Sequence, residues 1–120
     1  MKFRNTQDPE SRLKSAVINA IYTRVKKSSG FRVRNPLLYL DYTMEDLRSH
    51  LENQFNDWMS WDNWGPYNGK YKTWQIDHII PQSSLSYQEL DDPNFRKCWD
   101  LANLRPLETV ANLRKGNWGR

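Results

Sequence analysis

Trp74-Gln75-Ile76-Asp77-His78-Ile79-Ile80-Pro81 is the stretch that decides how this chain is read. An acidic residue and an imidazole stand side by side in an apolar, strand-like run, where burying either group is costly without compensation. The run reads as a strand over residues 74–80, closed by Pro81, which has no amide to continue pairing. Downstream, Asn103-Leu104-Arg105-Pro106-Leu107 reads as the partner strand, stopped or bent by Pro106. Residues 108–115 read as a short helix ending at Gly116. Residues 82–100 form a polar connection with one helical turn expected after Pro93.

Upstream the pattern is helical. Asp8-Pro9-Glu10-Ser11 is a helix start, with Asp8 as cap and Pro9 in the first turn. Leu13, Ala16, Val17, Ala20, Ile21 and Val25 follow at helical spacing, and Lys26-Lys27-Ser28-Ser29-Gly30 marks the stop. Thr43-Met44-Glu45-Asp46 starts a second helix with Met44, Leu47, Leu51 and Phe55 as its apolar stripe. Residues 58–72 are turn-rich. Their tryptophans, Trp58, Trp61 and Trp64, are expected to fill a small core rather than stack on bases.

Composition narrows the chemistry. The 120 residues suit one domain. With 18 Lys+Arg against 14 Asp+Glu the formal charge is +4, which favours a polyanionic partner only weakly. Six tryptophans argue against a disordered basic tail. A single cysteine, Cys98, permits no internal disulfide and no Cys-rich zinc site. With only His50 and His78, sites built from several imidazoles are excluded, so a metal would rest mainly on oxygen ligands. His50 reads as a surface or packing histidine. No apolar run is long enough to span a bilayer and the first residues lack a signal-peptide core, so a soluble, cytoplasmic protein is expected.

Cutting a phosphodiester needs a base for water and positive charge at the leaving oxygen. A neutral imidazole, with an ordinary pKa of about 6.5, can be that base near neutral pH, and His78 is the candidate. Asp77 offers a hard carboxylate, which suits one Mg²⁺ or Mn²⁺ ion with waters and phosphate oxygens completing its shell. Neighbours in a regular strand point to opposite faces. Asp77 and His78 can therefore serve one site only through a twisted strand end or by approaching from different sides.

Together with Asn103-Leu104-Arg105-Pro106-Leu107 and Asn112-Leu113-Arg114-Lys115-Gly116-Asn117, the Asp77-His78 stretch resembles the HNH endonucleases, in a phage-type HNN variant. Residues 47–55 and 59–65 also look like the lead-in of phage-type members. The resemblance implies that Asp77 and Asn112 bind metal, His78 is the general base, and Asn103 ties the loop between the strands to its surroundings. Arg105, Arg114 and Lys115 sit within or beside this site and are expected as DNA-backbone contacts, although basic residues near a helix C-terminus are also what the dipole favours. Two departures stand out: Gln75 occupies a position that is often histidine, and the connection from Pro81 to Asn103 is long.

The implied architecture is α+β, a single HNH nuclease domain over 1–120. A helical buttress and lead-in occupies 1–73 and a ββα-metal catalytic finger 74–117. The implied activity is metal-dependent hydrolysis of DNA, as an endodeoxyribonuclease leaving 5′-phosphate and 3′-hydroxyl ends. A phage or mobile-element origin follows from the same resemblance, with host-cell cytoplasm as the location and genome packaging beside a terminase or homing as the settings. A non-catalytic nucleic-acid-binding module and a nuclease toxin domain are the competing classes.

Overall fold

The cap expected at Asp8 is formed: its Oδ1 accepts from the Ser11 amide at 2.7 Å. Helix α1 then runs Pro9–Val25 in the computed structural model, which describes residues 8–25 and 35–118. Leu13, Val17, Ile21 and Val25 recur every fourth residue and are buried, so one stripe of α1 faces the core. The stop expected over residues 26–30 lies outside the described residues.

Helix α2, Met44–Glu52, opens on a capping box in which Thr43 accepts from the Asp46 amide and Asp46 accepts from the Thr43 amide. It buries Leu47 and Leu51 beside α1. The helix is shorter than the expected stripe, and Phe55 lies beyond it. The amides of Gln54 and Phe55 bond three residues back, to Leu51 and Glu52. That tightened turn carries the Phe55 ring against Trp61 (5.4 Å) and Trp74 (5.1 Å). Trp61 and Trp64 pack on Trp74 in the same cluster, so these two tryptophans are core.

Strands β1, Trp74–His78, and β2, Leu104–Glu108, pair antiparallel, with Asp77 opposite Arg105 and His78 opposite Leu104. The ladder is bracketed by Ile79 N to Asn103 O and Thr109 N to Thr73 O, both 2.8 Å. By the two-residue alternation of such ladders, Ile76 and Pro106 form a non-hydrogen-bonded pair. Pro106 therefore sits inside β2 without removing a ladder bond, where the sequence reading had it stopping or bending the strand. The outer edge of β2 is covered: the Leu104 carbonyl accepts from His50 Nε2 at 2.9 Å and Gln54 Nε2 at 3.3 Å.

The connection between the strands is more than polar linker. Asp92 accepts from the Asn94 amide and starts α3, Pro93–Trp99. Tyr87, Leu90, Phe95, Cys98 and Trp99 join α1, α2 and Leu104 in the core. Helix α4, Thr109–Trp118, follows β2 at once and lies against both strands. It continues through Gly116, where a stop was expected, because that glycine keeps helical backbone. Among the described residues the fold is thus a small α+β domain of four helices and one two-stranded sheet.

Candidate active site

Alternation along β1 separates its side chains into two environments. Gln75 and Asp77 face α4, whereas His78 lies on the other side with its ring edge-on to Trp99, centroids 4.6 Å apart at 88°. Asn112 and Lys115 are three residues apart on α4, one helical ridge, and they meet Gln75 and Asp77, two residues apart on the strand. Asn112 Nδ2 donates to Gln75 Oε1 at 3.3 Å, and its carbonyl oxygen has no hydrogen-bond partner among the described residues.

Asp77 is the electrostatic centre of this seam. Its side chain is 4% exposed and is engaged by two cations. Arg105 Nε donates to Oδ2 at 2.9 Å, and Lys115 Nζ lies 2.9 Å from Oδ1 and 3.1 Å from Oδ2. Lys115 also donates to the His78 carbonyl. Three charge-assisted contacts from two cations offset the desolvation of one carboxylate and leave the triad one positive charge in excess. The sequence reading had Arg105 and Lys115 as backbone contacts; the structure engages both on Asp77. Arg114 is exposed on α4.

His78 is separated from that cluster by the strand itself. Its Nε2 is buried with no hydrogen-bond partner among the described residues. Burial pushes the imidazole down to about 4, with neighbouring Asp77 opposing and Lys115 adding to the shift. The ring is therefore neutral at physiological pH.

Asn103 closes the loop between the strands. Its Oδ1 accepts from the Ile80 amide at 2.7 Å, and its Nδ2 donates to the carbonyls of Cys98 (2.9 Å) and Ile80 (3.2 Å). One buried amide thus pins the exit of β1 to the end of α3. Cys98 is fully buried, and burial pushes its thiol up to about 12, which removes it as a nucleophile.

No three His, Cys, Asp or Glu side chains gather among the described residues. A cation at the seam would have Asp77 as its one carboxylate and the free oxygen of Asn112 as its neutral partner. That donor set fits a hard divalent ion that keeps several waters. Lys115 stands against both Asp77 oxygens, so such an ion has to displace its ammonium. Sequence reasoning did not find the Gln75–Asn112 bond or the His50 contact with β2. The first was signalled by Gln75 and Asp77 sharing strand parity; nothing local signals the second.

No family model matches the chain, and no solved structure matches it. The chain is similar to two uncharacterized proteins of Acanthamoeba polyphaga mimivirus. One is 32% identical over 111 residues, covering 92% of this chain and 44% of the relative. The other is 30% identical over 112 residues, covering 93% of this chain and 45% of the relative. The chain spans less than half the length of these curated relatives. No described helix is long and apolar enough to cross a membrane.

Proposed function

We propose that this chain is a metal-dependent endodeoxyribonuclease of the HNH type, with β1, β2 and α4 as its ββα-metal unit. The observation that carries the reading is that Asp77 and Asn112 face one β1–α4 seam, Asp77 bonded to Lys115 and Asn112 to Gln75, beside a strand end pinned by Asn103. The phage-type resemblance of residues 47–55, 59–65 and 74–117 supports it, and the viral source of the two relatives agrees with a virus-encoded protein.

Asp77 and Asn112 are the residues that would hold Mg²⁺ or Mn²⁺. Such an ion supplies positive charge at the phosphodiester and its departing 3′ oxygen. Lys115, once off Asp77, is left at the seam as a cation for a phosphate oxygen. His78, neutral because it is buried, would accept the proton of the attacking water at its unpartnered Nε2; because it lies on the opposite side of β1 from the Asp77 seam, the phosphodiester has to be reached from both sides of the strand end, and substrate binding has to open a path to that atom. Asn103 is a positioning residue, acting through the Ile80 and Cys98 backbone.

A second reading is favoured by the closed Asp77–Arg105–Lys115 triad and the covered His78 ring: a module that binds nucleic acid without cutting it. One assay separates the two. Supercoiled plasmid incubated with Mg²⁺ or Mn²⁺ should be nicked or linearised, EDTA should abolish this, and His78→Ala should reduce the rate by about 10²–10⁴-fold. Plasmid that stays intact with every metal while being bound supports the second reading. Cleavage indifferent to EDTA refutes the metal assignment.

A further inference from the structure

The tryptophans near the start of β1 are committed to the core, yet the loop that follows them exposes a different aromatic set. Tyr67 is 59% exposed and Tyr71 67% exposed, with Lys70 and Lys72 interleaved. Lys70 lies over the Tyr71 ring at 5.2 Å and Lys72 over the Trp58 ring at 5.3 Å, so both ammonium groups are held among aromatic faces.

The loop is shaped before any partner arrives. Asn68 Oδ1 accepts from the amides of Lys70 (2.7 Å) and Tyr71 (2.8 Å), and Gly69 turns the chain at φ +78°, a conformation that disfavours a side chain. Its base is anchored: Thr73 Oγ1 donates to Thr109 Oγ1 (2.8 Å), which donates to Gly65 O (3.1 Å). Two large aromatic faces are therefore kept in solvent on a fixed turn. A cavity of about 180 Å³ lies between this loop and the start of α4, lined by both tyrosines and both lysines, with Glu108 as its one acidic neighbour.

We infer that residues 67–72 form a second nucleic-acid contact, taking unpaired bases on the faces of Tyr67 and Tyr71 and backbone phosphates on Lys70 and Lys72. Stacking on tyrosine needs a base released from its duplex neighbours, so the ligand is a single-stranded segment rather than intact duplex. The loop joins β1 at Thr73, four residues before Asp77, which places it about 13 Å along the strand from the Asp77 seam. The inference rests on DNA as the partner in the proposed function, but not on cleavage.

The test is fluorescence anisotropy of a labelled single-stranded oligonucleotide and its matching duplex, with the whole chain, in EDTA so that the DNA stays intact. Tyr67→Ser/Tyr71→Ser should weaken single-strand binding by about 5- to 150-fold for each base lost from the stack. It should leave duplex binding unchanged, and Tyr67→Phe/Tyr71→Phe should bind the single strand as the wild type does. Lys70→Gln/Lys72→Gln should flatten the log–log salt dependence by about 0.7 per phosphate contact on a single strand. Single-strand affinity unaltered by the serine pair, equal losses on duplex, or a phenylalanine pair as weak as the serine pair would overturn the inference. If the wild type binds neither DNA, the inference fails together with the DNA partner of the proposed function, whereas wild-type binding to duplex alone overturns the inference and leaves that function standing.

Discussion

Replacing Asn103 by alanine should cost this domain more stability than any other change at the site, through three specific bonds. The Cys98 carbonyl is buried and loses its donor, at a cost of about 1–3 kcal/mol. The Ile80 amide and carbonyl are partly buried, so water replaces Asn103 there and each lost bond costs about 0.5–1.5 kcal/mol. The total is roughly 2–6 kcal/mol, with about 4 kcal/mol as the central value. For a chain of this size that corresponds to a fall in Tm of roughly 15 °C. Urea unfolding followed by tryptophan fluorescence measures the loss, and hydrogen exchange locates it. The Ile80 amide should lose protection, while Ile79, bonded to the Asn103 backbone carbonyl, should retain more. Asn103→Asp should be worse near neutral pH, because a carboxylate then faces two carbonyls, and should recover as acid protonates it into a donor. A variant Asn103→Ala within about 0.5 kcal/mol of wild type, with Ile80 still protected, would refute this account.

Because burial holds the folded-state pKa of His78 at about 4, below its ordinary 6.5, the unfolded chain takes up the proton first as pH falls. The stability contributed by neutral His78 is therefore complete above pH 6.5 and is lost as pH falls from 6.5 towards 4; His78→Phe should remove this dependence from urea midpoints, and an unchanged slope would contradict it. Lys115→Met removes the ammonium that competes for Asp77, so calorimetric Mn²⁺ affinity should rise severalfold while metal-free stability falls by about 1–3 kcal/mol. Equal Mn²⁺ affinities would show that Lys115 does not stand in the ion's way. Asn112→Ala should lose Mg²⁺-dependent cleavage, whereas Asn112→His should keep some and shift its preference towards Ni²⁺ or Co²⁺, as imidazole nitrogen suits those ions better than amide oxygen. An unchanged metal ranking across both variants would place Asn112 outside the metal shell.

What the sequence determined by itself was local. Asp8 and Thr43 cap helices because their side-chain oxygens reach amides three residues on, a distance set by the chain alone. The fourfold recurrence of Leu13, Val17, Ile21 and Val25 places one face of α1 in the core, and strand parity puts Asp77 and His78 on opposite sides of β1. Tertiary structure decided what each side meets. Lys115, a plausible solvent-facing cation by position, reaches 38 residues back to Asp77 because α4 packs across the sheet. His78 loses its ordinary basicity because Trp99 of α3, in a connection that reads as polar linker, covers its ring. His50 finds the Leu104 carbonyl because the edge of β2 needs a donor there. Periodicity and capping are interactions among near neighbours and leave a pattern in the chain, whereas partners brought together by folding leave none at either position.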